Sequence, residues 1–326
     1  MKKLLTLILL VLLSFSLGSC NTKEDSSTEL SNNSQFNSSS IFESQASSSS
    51  SASKIQSSSQ ESIPFSDTHY IKDGYEYFIV SDSPADESRM RVPYIENAVS
   101  DYPTDYYSTT IGKSGSALKK ELASITYSLT ADYDWERFCV VDEDPNNTNN
   151  IWTIYGAQSL PKTAEAHGNE ANTWNREHTF PQSIFGKSFP MKGDSNHVFA
   201  DDHTTNGTRS NYKYADLENT TSNAVKDSAG LYTANFQSGQ SFEPMDAVKG
   251  QVARATLYIA TRYAQANGVS LKVTDNFKSL SLCLAWNDEF PPTSWEITRN
   301  NRVYEIQGNR NPFIDHPEFA RMIFDN

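Results

Sequence analysis

The sequence predicts a mixed α+β domain, and three observations predict it. Apolar residues recur at helical spacing in "GKSGSALKKELASI" and in "DAVKGQVARATLYIATRYAQ". Short aromatic and β-branched runs, "YEYFIV" and "IWTIYG", read as strands. Two polar blocks, residues 174–182 and 193–214, are separated by a short gap holding "FGKSFPMK", close enough to fold as one hairpin-and-helix unit. Charged residues make up 21% of the chain and aromatics 12%, which suits a globular body with a real core rather than a wholly disordered chain. No tandem repeat is visible.

The chain opens with "MKKLLTLILLVLLSFSLGSC": two lysines, an apolar run, then small residues. That is the secretory pattern, and the apolar run is short for a membrane span. Its close, "LGSC", resembles the lipobox of bacterial lipoproteins, which implies a signal peptide over 1–19 and a lipid on Cys20. Such a protein is anchored to the membrane surface without crossing it. Plain secretion is the alternative. Residues 20–65 are rich in Ser, Asn and Gln and are expected to be a flexible tether, because they bury too little apolar surface to offset chain entropy. Residues 66–104 are a lead-in to which the sequence assigns no definite structure beyond the short strand in "YEYFIV". The main domain is expected over 105–326.

The net charge is −13, and loss of Lys2 and Lys3 with a signal peptide makes the mature chain more acidic still. This argues against coating nucleic acid through a broad basic face. It leaves room for a small cationic or metal-bearing cleft, because salt screens distant charge. Beyond Cys20, only Cys139 and Cys283 remain, and their spacing leaves a disulfide open.

Along the domain, Leu118, Leu122 and Ile125 mark one face of a first helix, and Val248, Val252, Ala255, Ile259 and Tyr263 mark the core stripe of a second. "DEDPNNTNN" alternates Asp142, Asp144 and Asn146 like a calcium loop. An EF-hand needs Gly at its sixth position and Glu at its twelfth, where this chain has Asn147 and Thr153. An Asx-rich turn before a strand is the better account.

The stretch "WNREHTFPQ" sets Glu177 beside His178. A helical zinc protease needs H-E-x-x-H; here the order is Glu-His, no His stands at 182, and Pro181 breaks a helix. A zinc site from His178, His197 and His203 is conceivable by residue type alone. The second block, "GDSNHVFADDHTTNGTRSNYKY", read alone is a polar surface loop. Beside the first block it supplies what phosphodiester hydrolysis requires. A neutral imidazole, His178, accepts the proton of the attacking water. A hard divalent cation takes oxygen ligands, usually one or two from protein; Glu177 offers a carboxylate and Asn206 an amide oxygen. Arg176 and Arg209 offer guanidinium groups suited to phosphate. Neighbours on a regular strand point to opposite faces, so Glu177 and His178 serve one site only where the strand ends or bends.

"WNREHTFPQS" followed by "DSNHVFADDHTTNGTRSNYKY" resembles the bacterial endonuclease I family. The family pattern is roughly N-R-E-H-x-[FW]-P-x-S, then D-x-x-H-[LIV]-x-P-x-D-x-x-x-N-x-x-R-S-N. Later segments, "FEPMDAVKGQVARATLYIATRY" and "WNDEFPPTSWEITRNNRVYEIQGNRNPFIDHPEFA", are similar too, so the resemblance covers residues 106–324. It implies a mainly helical body around a ββα-metal, or His-Me, finger, with the hairpin carrying Glu177 and His178 and the helix carrying Asn206. It implies a nuclease outside the cytoplasm that cuts DNA, and RNA as well, with little sequence preference and leaves 5′-phosphates. His178 would be the general base. Glu177 and Asn206 would hold one divalent metal, Mg²⁺, with Mn²⁺ or Ca²⁺ as alternatives. Arg209 is carried in the catalytic set as a phosphate contact, with pairing to an acid such as Asp194 as its structural alternative. Asn211 is expected to order the finger, His197 to be buried support, His203 to be exposed and His316 to be structural. Arg299 and Arg310 suit either a DNA-facing surface or a loop packed on the core. Ala200 stands where the family commonly has Pro, His203 where it has Gly, and the second block lacks an extra Arg that some members use at the transition state. No protein partner is implied, and a monomer is expected. The reading from another class is a catalytically silent surface lipoprotein that binds nucleic acid or another partner.

Overall fold

The computed structural model describes residues 66–265 and 268–325. The expected signal peptide, the tether and Cys20 lie outside the described residues. The lead-in forms a three-stranded antiparallel sheet in the order β1 (His69–Lys72), β2 (Tyr75–Phe78), β3 (Arg91–Pro93). Lys72 pairs with Tyr75, so Asp73 and Gly74 make a two-residue turn, both at positive φ (49° and 77°). An Asp-Gly pair favours that turn because its twist matches the flanking strands. A Cβ on Gly74 would sit 2.6 Å from the Asn146 side chain, which donates to the Gly74 carbonyl.

The next helix, α1 (Gly115–Ile125), buries Leu118 and Leu122 as their spacing predicts. Helix α2 (Trp135–Val141) starts on Asp134, whose carboxylate accepts the Arg137 N–H and satisfies an orphan donor of the first turn. "DEDPNNTNN" contains an Asx turn, with the Asp144 carboxylate accepting the Asn146 N–H at 2.9 Å. "IWTIYG" is a shorter strand than its composition predicts. Strand β4 (Asn150–Trp152) pairs with β5 (Ser159–Pro161). The chain then leaves the ladder, because the N–H groups of Tyr155 and Gly156 bond the buried Asp201 carboxylate instead.

Strand β6 (Trp174–His178), helix α3 (Gln182–Phe185), strand β7 (Val198–Asp202) and helix α4 (His203–Arg209) follow in that order. A four-stranded sheet comes next, from β8 (Lys213–Tyr214), β9 (Ala224–Lys226), β10 (Tyr232–Ser238) and β11 (Ser241–Glu243), ordered β8-β11-β10-β9. The fold is mixed α+β as expected, with small sheets beside the helices. Short strands closed by two-residue turns at Asp73-Gly74 and Gly239-Gln240 take part of the core.

Helix α5 (Asp246–Arg262) is central to the larger core, with α6 (Leu280–Glu289), α7 (Ser294–Gln307), α8 (Pro312–Asp315) and α9 (Phe319–Phe324) completing the chain. The predicted stripe is buried, but so is nearly every other residue of α5. A helix buried all round must pair its charges internally. Arg254 meets both carboxylate oxygens of Glu296 at 2.7 and 2.5 Å, and Lys249 meets Glu243 at 2.7 Å. A Cβ on Gly250 would lie 2.0 Å from the Phe290 carbonyl at the end of α6, so glycine permits that approach. A smaller cluster that includes Phe138, Val141, Ile151, Trp174, Val198 and Ala200 backs β6 and β7. Cys139 and Cys283 are free thiols. Each lies against a different carbonyl, that of Lys162 and that of Ala253, so no bridge joins them. Among the described residues no helix is long and apolar enough to cross a membrane.

Candidate active site

The two polar blocks fold into one unit. Strands β6 and β7 pair antiparallel over their full length, from Trp174↔Asp202 to His178↔Val198, and α4 begins where β7 ends. Asp202 makes the junction: its Oδ1 accepts the N–H groups of Thr204 and Thr205, both at 3.0 Å. Directly opposed residues share a face, so Trp174, Arg176, His178, Val198 and Ala200 lie on one side. Asn175, Glu177, Phe199 and Asp201 lie on the other.

Strand β6 stops at His178 because its next carbonyls are captured from outside the ladder. Arg209 donates to the His178 carbonyl at 3.3 Å and to the Thr179 carbonyl at 2.6 Å, and Asn276 donates to Thr179 at 2.8 Å. Pro181 then caps α3. At this strand end Glu177 and His178 border the same cleft of about 310 Å³, together with Arg176, Gln182 and Asn206.

Glu177 is 2% exposed. Its Oε1 accepts the Tyr155 hydroxyl at 2.9 Å and lies 3.5 Å from Arg209 Nε. Tyr155 is fixed in turn by the Tyr214 hydroxyl at 2.5 Å. Burial raises the Glu177 pKa above the usual carboxylate value, and the Arg209 charge works against that rise. The neighbouring Asp201 is raised well above its usual range by burial and then by Asp202.

His178 is 4% exposed and both ring nitrogens are engaged. Nε2 lies 2.9 Å from the Lys192 carbonyl, which can only accept, so this nitrogen carries the proton. Nδ1 is therefore the acceptor, and it takes the Gln182 amide N–H at 3.0 Å. Burial, then the nearby His197, lower the His178 pKa to about 3, so the imidazole is neutral at ordinary pH. The His197 ring packs edge-on against it at 5.5 Å, donates Nε2–H to the Met191 carbonyl at 2.7 Å, and has a pKa lowered by burial to about 4.

Asn206, on α4, spends its amide N–H on Asn175 Oδ1 at 2.7 Å, which leaves the amide oxygen as the end it can offer a ligand. Glu177, His178 and Asn206 are thus brought together as the residue types required. The zinc alternative is not: the His178 and His197 Nε2 atoms are committed to carbonyls, and His203 bonds Thr173. Among the described residues no group of three or more His, Cys, Asp and Glu side chains could hold a metal ion.

Several expectations are corrected. Arg209 is 0% exposed and its guanidinium is filled by backbone carbonyls and Asn276, so it cannot reach a phosphate in the cleft. Its acid partner is Glu177, not Asp194, whose oxygens are taken by Tyr258, Tyr263 and Gln307. Asn211 is exposed at the cleft rim and makes no hydrogen bond among the described residues, so it does not order the unit. His203 is half-buried rather than exposed, held by Thr173 and Thr204. Arg299 and Arg310, left open between a DNA-facing surface and a packed loop, lie inward on Asp142 and Asp315, and His316, expected to be structural, stacks on Phe319. Sequence reasoning missed Gln182 and Asn175, which were visible inside "WNREHTFPQ" at positions able to reach His178 and α4. It also missed Tyr155 and the Lys192 carbonyl, for which no local signal existed.

Residues 114–318 match the family model described as Endonuclease I. The chain is 37% identical over 234 residues to an extracellular ribonuclease of Bacillus amyloliquefaciens, covering 67% of this chain and 78% of that protein. It is 32% identical over 125 residues to an extracellular deoxyribonuclease of Aeromonas hydrophila, covering 38% of this chain and 50% of that protein. A Buchnera aphidicola protein named Endonuclease-1 is 30% identical over 166 residues, which is 45% of this chain and 64% of that protein.

Proposed function

The chain belongs to the endonuclease I family, and from that premise we propose that it is a metal-dependent, sequence-non-specific endonuclease that hydrolyses the phosphodiester bonds of DNA and RNA to 5′-phosphate products. The observation that carries this reading is that Glu177, His178 and Asn206 border one cleft, with His178 Nδ1 as its acceptor nitrogen. A ribonuclease and deoxyribonucleases among the relatives support both polymers as substrates.

His178 Nδ1 takes the proton of the attacking water once the Gln182 amide yields its place. The Lys192 carbonyl keeps the ring in its tautomer and stabilises the imidazolium that forms. The donor set fits a hard cation, which asks for oxygen ligands and few of them. The Tyr155 and Arg209 contacts of the Glu177 carboxylate both fall on Oε1, and the Asn206 amide is turned by Asn175. Glu177 and Asn206 would hold Mg²⁺, or Mn²⁺ or Ca²⁺ in its place. The ion would neutralise charge on the phosphoryl and 3′-leaving oxygens. The secretory start, with extracellular and periplasmic relatives, supports a nuclease outside the cytoplasm, and the "LGSC" close supports a lipid on Cys20 as its anchor.

The test uses the full chain with plasmid DNA and with RNA, with Mg²⁺ or with chelator, beside His178→Ala. The wild type should cut both polymers only with metal, and His178→Ala should be roughly 10²–10⁴-fold slower. Intact polymers with Mg²⁺ present sink the nuclease reading; wild-type cutting by His178→Ala sinks the base; cutting in chelator sinks the metal role.

A further inference from the structure

The cleft holds a base and two oxygen ligands, yet a phosphodiester also needs a cation from the protein to hold it. The arginine expected in that role, Arg209, is buried and filled. Among the residues lining the cleft, Arg176 carries the positive charge. It lies on the same face of β6 as His178, two residues away. Its guanidinium stacks 3.8 Å above the Tyr133 ring centre and 4.1 Å from that of Trp135, and Nη1 donates to the Tyr133 carbonyl. Its Nε and Nη2 make no hydrogen bond among the described residues.

The shelf beneath Arg176 is anchored. Trp135 packs edge-on against Trp174 at 5.0 Å, and Trp174 is fully buried in the smaller core. Tyr133 reaches the His178 ring at 5.4 Å. The ammonium of Lys192, whose carbonyl fixes the His178 tautomer, lies 4.8 Å from the Tyr133 ring centre. A guanidinium pressed flat on two rings keeps its edge donors in a fixed plane, which an ammonium cannot do. The chain as a whole carries −13, so a polyanion is held here by local cations or not at all.

We propose that Arg176 grips the scissile phosphate through its free edge, and that Tyr133 and Trp135 are positioning residues that hold it at the cleft. This rests on the nuclease reading. Arg176→Gln lowers kcat/KM roughly 100-fold, the scale of losing one donor to developing charge. It also makes the salt dependence of binding to a single-stranded oligonucleotide in EDTA shallower by about 0.7, the value of one phosphate contact. Arg176→Lys restores the salt slope but not the rate. Lys120→Gln, which removes the same charge from an exposed position of α1 outside the cleft, changes neither. Thermal unfolding of each variant separates loss of the shelf from loss of the fold.

Arg176→Gln cutting at the wild-type rate with an unchanged salt slope, while His178→Ala is inactive, overturns the proposal. Arg176→Lys at the wild-type rate overturns the role of the shelf. If the wild type cuts nothing, the nuclease reading fails, while the oligonucleotide binding still decides whether Arg176 holds phosphate.

Discussion

The two faces of the β6–β7 pair are built from opposite materials. One face, with Trp174, Arg176, His178, Val198 and Ala200, packs mostly on aromatic and aliphatic side chains; Arg176 rests on rings, His178 on a backbone carbonyl, and Asp202 at the far end of the face on backbone N–H groups. The other, with Asn175, Glu177 and Asp201, is a buried polar network tied to Tyr155, Arg209 and Asn206. A strand sends neighbours to opposite sides, so Glu177 and His178 have different surroundings. The acid stays among hydrogen-bond donors and the imidazole stays neutral in an apolar setting. They meet only where the strand ends, and the residue that ends it, Arg209, is also the counterion of Glu177.

The two faces differ most at Arg209. Arg209→Met should destabilise the fold by about 3–5 kcal/mol, the cost of leaving one partner of a buried pair alone. Arg176→Met on the other face should cost far less. Urea unfolding of both variants decides it, and equal losses would mean that the two faces are not differently built.

Acidification sharpens the same contrast. The His197 pKa is lowered in the folded protein from 6.5 to about 4, so the unfolded chain takes up the proton first. Its contribution to stability is whole above pH 6.5 and falls away as the pH drops toward 4, by about 3 kcal/mol at 1.36 kcal/mol per unit. His178, lowered to about 3, adds loss in the same direction. Glu177 is raised, so its stabilisation is whole below its ordinary value of 4.5 and is lost as the pH rises through its folded value. Unfolding free energies measured from pH 7.5 to 4 should fall, and His197→Gln should flatten part of the fall. A His197→Gln profile that falls as steeply as the wild type would refute the assignment. The same lowered pKa places the acid limb of kcat/KM well below pH 6.5.

The smallest effect is expected at Asn175. Asn175→Ala frees the Asn206 amide to rotate, and second-layer partners of metal ligands typically matter by about 10–100-fold in metal affinity. A Mg²⁺ titration of activity should shift by that factor while stability barely changes. An unchanged titration would remove Asn206 from the ligand set.

Side-chain identity and order make Glu177, His178 and Asn206 legible in the sequence, because the chemistry asks for those types and the two blocks lie close along the chain. The α5 stripe is legible for the same kind of reason, spacing alone. Burial is not legible. For Arg209, Arg299 and Arg310 the sequence leaves a phosphate-facing and an inward-packed reading open, and the partners that decide between them include groups far along the chain, such as the Thr179 carbonyl and Asn276 for Arg209 and Asp142 for Arg299. The end of β4 is hidden likewise, since Asp201 lies 46 positions from the Tyr155 N–H it draws out of the ladder. The lead-in is readable only in part: "YEYF" is strand-like by composition, while its partner "HYIK" is marked chiefly by the Asp73-Gly74 turn between them.

The lead-in also decides where this protein can be shortened. The family match begins at residue 114, but Arg89 reaches across to Asp227 at 2.8 Å and is its one cationic partner among the described residues. The Asp227 side chain is completely enclosed, next to the Gln158 amide and the N–H groups of Ala229 and Leu231. A chain begun at the family boundary would keep that carboxylate and discard its counterion, along with Phe78, Met90 and Val92 from the larger core. The span matched by the family model and the physical unit therefore have different borders here. A shortened chain has to keep the lead-in from β2 through Val92 if it is to retain this ion pair and these core side chains.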